Sequence, residues 1–216
     1  MSRDGTATRN RILDNAERLV LEQGFAATSV DEVIAAAKSS KGAFFNHFPT
    51  KNDLARALVA RYAATDVEHL ETFMVAAEAE TEDPAGQVVA FLRLFEEAAD
   101  DIVAAQPSCL YVSFIYERQL SADGTVDLIV DAIAAWRDVL RAKLEAAAEL
   151  HAPRVDVDLE ALADHVFVTF EGAFILARTT QDSSHMRRQL AVTRNLVEVL
   201  FDVGSRISPN RLTHFE

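Results

Sequence analysis

The side chains with the clearest chemistry lie in one short segment, residues 41–48. Lys41, Asn46 and His47 are its polar side chains, and Phe45 and Phe48 are expected to anchor it on neighbouring helices. Lysine and asparagine hydrogen-bond the base edges in the major groove of DNA, and apolar groups contact the thymine methyl. The segment contains no acid that would repel phosphate. These residue types predict a surface that faces DNA.

The preceding residues predict how this segment is presented. Residues 29–37 have helical spacing, and Lys38-Ser39-Ser40 is a short polar break. Two short helices joined by three or four residues form the helix-turn-helix pattern of DNA-binding proteins. Thr28-Ser29-Val30-Asp31 predicts a capping box at the start of the helix over residues 29–37. The unpaired backbone N–H groups at that helix start suit a phosphate. Lys51, which starts the next helix, is placed similarly.

The rest of the chain is also predicted to be helical, because proline and glycine are scarce and apolar residues recur at helical spacing. The first helix covers about Thr8 to Gln23. After Pro49, a helix over residues 51–79 is roughly 45 Å long, enough to connect two domains. Further helices are predicted over residues 84–105, 107–119, 125–150, 159–180 and 184–205. The expected fold is all-α, with about nine helices.

Charge is distributed unevenly along the sequence. The net charge is −13, yet residues 1–61 carry nine Lys or Arg against seven Asp or Glu, which is +2, and the remainder carries −15. Residues 33–52 hold three lysines and no acid. A basic N-terminal head on an acidic body orients a protein toward phosphate.

The N-terminal residues have no apolar core of the kind that a secretion signal needs, and no apolar run approaches the ~18 residues of a membrane span. The single cysteine, Cys109, excludes an internal disulfide and suits a reducing compartment. We therefore expect a cytoplasmic protein that does not contact a membrane.

Residues 8–61 resemble the DNA-binding domain of TetR-type regulators, over about a quarter of the chain and without a gap. The matching runs are Ile12-Leu13-Asp14-Asn15-Ala16, Gly24-Phe25, Thr28-Ser29-Val30, Ile34-Ala35, Lys41-Gly42, His47-Phe48 and Lys51-Asn52-Asp53-Leu54. The resemblance implies a helix-turn-helix domain over residues 1–50 and a six-helix ligand-binding and dimerisation domain over residues 51–216. It also implies a ligand-responsive repressor of a palindromic operator.

The resemblance, together with the residue types, implies a set of DNA contacts. The set is Thr28, Ser29, Ser39, Ser40, Lys41, Ala43, Phe44, Asn46, His47 and Lys51. Two positions depart from the family pattern. A glycine is usual where this chain has Lys38, so the left-handed position there is strained or relocated. A tyrosine is common where this chain has Phe45, so one phosphate hydrogen bond should be missing.

A homodimer is expected, since one recognition helix reads only a few base pairs and such proteins pair on palindromes. The last two helices are the expected dimer surface. Its candidate residues are Leu159, Leu162, Val166, Ala173, Ala177, Leu190, Val197, Leu200 and Phe201. Ordinary core within one chain is the alternative interpretation of these stripes; the resemblance favours the dimer, and both uses are expected.

A small-molecule effector should bind among the middle helices, which are rich in aromatic side chains. The candidates are Phe91, Phe95, Cys109, Tyr111, Phe114, Glu117, Trp136, His165, Phe167, Phe170, Glu171 and Phe174. Cys109 also supports an alternative, a redox- or electrophile-sensing repressor, because a helix N-terminus can lower a thiol pKa. A small buried hydrophobic side chain is the plainer interpretation of Cys109.

Two other classes of function are weighed against DNA regulation. A helical di-metal enzyme would need Glu-x-x-His motifs, and no histidine here has glutamate three residues before it. Phosphate-loop, dinucleotide and His-Glu-x-x-His motifs are also absent, so neither a cofactor nor a metal is expected. A protein-binding helical module without DNA activity is the remaining alternative.

Overall fold

In this computed structural model of the chain, residues 3–105, 108–115, 117 and 124–203 are described, and they are helical throughout apart from short connections. The helices are α1 (Arg3–Gln23), α2 (Val30–Ala36), α3 (Lys41–His47), α4 (Lys51–Glu80), α5 (Pro84–Ala105), α6 (Leu110–Ile115), α7 (Thr125–Leu150), α8 (Leu159–Thr180) and α9 (Ser184–Phe201). The predicted all-α fold is confirmed. None of these helices combines the length and apolar character that crossing a membrane requires.

Most helix boundaries agree with the sequence-based prediction, and three differ from it. Helix α1 begins at Arg3, five residues earlier than predicted. The capping box of α2 pairs Ser29 with Glu32, one residue further along than predicted. The predicted helix over residues 107–119 is shorter in the structure: α6 covers Leu110–Ile115, residues 108, 109 and 117 are not helical, and positions 107, 116, 118 and 119 lie outside the described residues.

The chain divides into two compact units. The first unit contains the described residues up to Val67 and those from 108 to Ala132, and the second contains Glu68–Ala105 and the described residues from Ile133 onward. Helices α4 and α7 each contribute residues to both units. The functional boundary at residue 50 stays a prediction, because packing units and functional domains are different properties.

The first unit is built on apolar residues of α1 that recur at helical spacing. Ile12, Ala16 and Val20 are each at most 1% exposed, and α1 packs against α2, α3 and α6. Helix α1 ends at Gln23 and is followed by Gly24, whose φ of +84° suits a residue without Cβ. The chain then turns so that the ring of Phe25 packs 4.9 Å from the ring of Phe114 on α6.

In the second unit, α5 packs against both α8 and α9. Arginines of the last two helices bind acids and a carbonyl of α5. Arg194 Nε donates to Glu96 Oε2 at 3.1 Å, Arg187 pairs with Asp100, and Arg178 donates to the carbonyl of Val103 at 3.1 Å. These half-exposed pairs fix side-chain orientation more than they add stability, because water screens them.

Candidate nucleic-acid interface

Helices α2 and α3 are both capped by serine side chains. The hydroxyl oxygen of Ser29 accepts a hydrogen bond from the Glu32 backbone at 3.2 Å, and that of Ser40 accepts one from Ala43 at 3.1 Å. Each cap satisfies one of the N–H groups left unpaired at a helix start. The turn between the helices passes through Lys38, whose φ is +48°. The left-handed position predicted at Lys38 is therefore retained, without the usual glycine.

The exposed face of α3 consists of four residues at helical spacing. Lys41, Gly42, Phe45 and Asn46 are exposed, while Phe44 is fully buried. The sequence-based assignment of the two phenylalanines was wrong. Phe44, expected to contact DNA, is the anchor in the core, and its ring packs against Phe48. Phe45, expected to anchor the helix, is exposed instead. The buried face of α3 therefore contains Phe44, one residue earlier in the chain than expected.

Thr28 is also unavailable to a phosphate. It is 2% exposed, and its hydroxyl donates to the carbonyl of Gly24 at 2.8 Å. Its backbone N–H donates to the carbonyls of Gly24 and Phe25 at 3.2 Å. The expected phosphate contact at Thr28 is wrong for this reason: both donors close the turn after α1.

Lys51 is bound by the same turn. Its Nζ donates to the carbonyl of Phe25 at 2.8 Å and lies 4.3 Å from the centroid of that ring. Burial lowers the pKa of the Lys51 ammonium, and the nearby carboxylates of Glu117 and Glu32 oppose this shift. The geometry gives Lys51 a structural role in joining α4 to the end of α1.

The remaining predicted DNA contacts differ in accessibility. Ser29 and Ser40 are exposed, and their hydroxyl oxygens serve the caps. Ser39, Ala43 and His47 are half-buried. Lys41 Nζ lies 3.8 Å from a carboxylate oxygen of Asp31, and both side chains are mostly exposed. A contact this long and this exposed leaves the lysine able to exchange its partner for a phosphate.

Six aromatic rings form a continuous cluster in the second unit. Phe95 stacks on Phe73 at 4.2 Å, meets Phe170 edge-on at 5.5 Å and lies 5.6 Å from Trp136, which also contacts Phe91 and Phe167. The sequence-based reasoning had missed Phe73. The signal in the sequence is that Leu70, Met74 and Ala77 on the same helix are apolar residues at helical spacing, and all three are buried.

The other effector candidates are distributed over both units. Cys109, Tyr111, Phe114 and Glu117 belong to the first unit, where Tyr111 donates to Asp66 Oδ2 at 2.9 Å. In the second unit Phe174 is buried, Glu171 is half-buried, and His165 is exposed and lies 3.4 Å from the Thr169 hydroxyl. Among the described residues, no group of three or more His, Cys, Asp or Glu is arranged to hold a metal ion.

Most residues predicted for the dimer surface are core. Six of them are at most 3% exposed: Val166, Ala173, Ala177, Leu190, Val197 and Phe201. For these six the prediction was wrong, because each helix carries two apolar stripes and the expectation selected the one that packs inside the unit. The other three, Leu159, Leu162 and Leu200, are half-buried.

The second stripe is exposed on both helices. Its members are Val168, Ile175 and Leu176 on α8, and Val192, Leu196 and Val199 on α9. Their exposure ranges from 40% to 63%. Gly172 lies between the α8 members, and a Cβ placed there would meet nothing within 4 Å. This surface is called the α8–α9 stripe below.

The chain matches two family models, one in each part of the sequence. Residues 12–58 match the bacterial regulatory proteins of the tetR family, and residues 84–193 match the C-terminal domain described as tetracyclin repressor-like. The second match alone covers more than half of the chain. The first match contains the whole of the α2–α3 pair.

Individual relatives agree with the family models. The transcriptional regulator AcuR of Cereibacter sphaeroides is 27% identical over 73% of this chain and 70% of its own length. The HTH-type transcriptional repressor DhaR of Mycobacterium sp. strain GP1 is 20% identical over 87% of this chain and 90% of its length. The fold is shared with a TetR transcriptional regulator from Chloroflexus aurantiacus, at a TM-score of 0.71, 23% identity and coverage of 91% and 96% of the two chains. All three of these proteins are regulators rather than enzymes. The chain belongs to the TetR family of transcriptional regulators, with a helix-turn-helix DNA-binding domain at its N-terminus.

Proposed function

We propose that the chain is a homodimeric repressor that binds a palindromic operator and leaves it when a small molecule binds the second unit. The observation that carries the proposal is the exposed, acid-free face of α3, formed by Lys41, Gly42, Phe45 and Asn46. Repression is supported by the relative DhaR, which is described as a repressor.

Dimerisation is supported by the α8–α9 stripe. Val192, Leu196 and Val199 recur at intervals of four and three residues, so they form one line along α9. Contiguous exposed apolar surface on a helix pair marks an interaction site. A second copy of the same pair would cover it by forming a four-helix bundle, and a two-fold axis would place two α3 helices on the two halves of a palindrome.

The aromatic cluster of the second unit is the proposed effector site. Phe73, Phe167 and Phe170 are half-buried, whereas Phe91 and Trp136 are nearly fully buried. An aromatic cluster with some accessible surface suits the binding of an apolar or aromatic small molecule. The alternative sensor, Cys109, is only 6% exposed, and burial of this kind slows the reaction of a thiol with oxidants and electrophiles.

DNA binding is tested by fluorescence anisotropy with the duplex flanking the gene that encodes the chain. We expect tight binding to an inverted repeat and much weaker binding to a scrambled duplex of equal length. Affinity should fall steeply with salt concentration, because binding releases counterions. A protein that ignores both duplexes at low salt is a helical module of another function.

Effector response is tested through the tryptophan. Trp136 is the only tryptophan in the chain, so its emission reports on the aromatic cluster. We expect some small apolar compounds to quench this emission and to release the operator duplex over the same concentration range. A set of compounds that quenches Trp136 and leaves DNA binding unchanged would separate the cluster from regulation.

A further inference from the structure

Phe45 is in an unusual place for a phenylalanine. It is 40% exposed, whereas Phe44 is fully buried and Phe48 is 2% exposed. Among the residues whose exposure the structure describes, it is the one Phe, Tyr or Trp side chain that is exposed. The ring therefore presents apolar surface to solvent on a helix face whose other side chains, Lys41 and Asn46, are polar.

The ring of Phe45 is held in place by its buried neighbour. It meets the ring of Phe44 edge-on, with centroids 5.2 Å apart and an interplanar angle of 82°. Edge-to-face contact is a favoured arrangement of two aromatic rings. The exposed ring is therefore supported from behind by a residue fixed in the core, and its position is defined before any partner arrives.

The surroundings of Phe45 leave its ring uncovered. Gly42 lies one turn earlier on the same exposed face, and a Cβ placed there would meet nothing within 4 Å. Neither packing nor a positive φ requires glycine at this position, and glycine is unfavourable within a helix. Because Gly42 has no side chain, it leaves space beside the ring, so the base edges in a DNA groove can approach closely. Lys41 and Asn46 flank the same surface and suit phosphate and base edges.

We propose that Phe45 reads the 5-methyl group of one thymine in each operator half-site. A phenyl ring has no donor or acceptor, so it can discriminate bases only through apolar contact and shape. In the major groove, the thymine methyl is the apolar group that a base pair presents, and cytosine lacks it. The inference rests on the proposed function, since it requires that α3 enters the major groove.

The test removes the methyl group and nothing else. A random duplex pool is first enriched on the full-length protein, and each thymine of the selected site is then replaced by deoxyuridine. At one thymine per half-site, we expect the wild-type affinity to fall about fourfold, the value of one buried methyl-sized group. Replacement by 5-bromodeoxyuridine, whose bromine is close to a methyl in size, should restore it.

The matching variant is Phe45→Ala. Its affinity should be lower than that of the wild type and should no longer respond to deoxyuridine at that thymine, since the two changes remove the same contact. Lys41→Ala is the control: it should weaken binding to every duplex and keep the fourfold response. Unchanged helix content by circular dichroism and an unchanged salt slope show that Phe45→Ala leaves the fold and the phosphate contacts intact.

Two results would overturn the inference while leaving the proposed function in place. The first is wild-type binding that is indifferent to deoxyuridine at every thymine. The second is an equal response in the wild type and in Phe45→Ala. Failure of the pool to enrich, with no binding to any duplex at low salt, would instead contradict the proposed function and the inference with it.

Discussion

The ammonium of Lys51 lies 2.8 Å from the backbone carbonyl oxygen of Phe25 and 4.3 Å from the centroid of the Phe25 ring. One ammonium group thus donates a hydrogen bond to a backbone carbonyl in the turn after α1 and makes a cation–π contact with the buried ring of the same residue. Lys51 begins the long helix α4, and the sequence predicts that it contacts a DNA phosphate. Here its cation already has partners inside the first unit.

Lys51→Met should therefore reduce stability more than it affects DNA binding. The variant keeps the aliphatic stem and removes the charged hydrogen bond and the cation–π contact, which together contribute about 1 kcal/mol at a half-buried site. We expect a lower urea midpoint with an unchanged salt slope of operator binding. A slope that falls while the urea midpoint stays fixed would identify Lys51 as a phosphate contact instead.

Lys41→Ala should behave in the opposite way. Lys41 is exposed on α3, and its contact with Asp31 at 3.8 Å contributes little to stability. If each copy of Lys41 in a dimer neutralises one phosphate, the slope of log affinity against log salt should become less steep by about 2. The urea midpoint should stay where it is in the wild type, which makes this variant the counterpart of Lys51→Met.

Asp31→Asn gives an internal check on the role of Lys41. The substitution removes an acid near the expected phosphate path and frees the lysine from its partner. We expect operator affinity to rise about two- to threefold at low salt and the gain to disappear at high salt. In the Lys41→Ala background, the gain should be smaller, because part of it depends on the freed ammonium.

The sequence predicted most helices and failed where it had to choose a helix face. Serine caps, Gly24 and the helical spacing mark boundaries because they act locally. The choice between Phe44 and Phe45 as the buried ring depends on a rotation of about 100° around α3, and both are phenylalanines. On α8 and α9, two apolar stripes compete, and the packing of α9 against α5 and of α8 against α9 selects the buried one.

Lys38→Gly should stabilise the protein. Lys38 has a φ of +48°, a region where a Cβ is unfavourable and glycine is not penalised. Part of the gain is offset by the greater freedom of glycine in the unfolded chain, so the net increase should be about 0.5–1 kcal/mol. Thermal unfolding should show a higher Tm. Lys38→Ala serves as the control, since alanine loses the charge and keeps the Cβ.

Tyr111 makes stability sensitive to alkaline pH. Burial raises the pKa of its hydroxyl above the ordinary value of 10.0, and the charge of Asp66 and the hydrogen bond to it add to the shift. The folded state thus favours the neutral phenol. This contribution to stability is fully present below about pH 10 and decreases as pH rises above it, because only the unfolded chain releases the proton.

We expect one of the three tyrosines to ionise only as the protein unfolds, which absorbance near 295 nm can follow. Tyr111→Phe should lower stability at pH 8 by about 1 kcal/mol, because the bond to Asp66 is lost. It should also weaken the decline in stability between pH 9 and pH 11. A decline of equal steepness in both proteins would assign the alkaline transition to other groups.

Val199→Glu tests whether a second copy covers the α8–α9 stripe. Val199 is 61% exposed and shares its line on α9 with Leu196 and Val192. In an isolated chain, a glutamate at such a position costs little, since it reaches water. In a symmetric dimer the two substitutions would lie in one apolar interface and bury two like charges, so the dimer should dissociate.

The matched control is Val75→Glu on α4, where the valine is 64% exposed and lies outside the stripe. Sedimentation should show the wild type and Val75→Glu as dimers and Val199→Glu as a folded monomer with strongly reduced affinity for the inverted repeat, because one α3 cannot reach both half-sites. Three dimers of equal stability would place the partner on another surface.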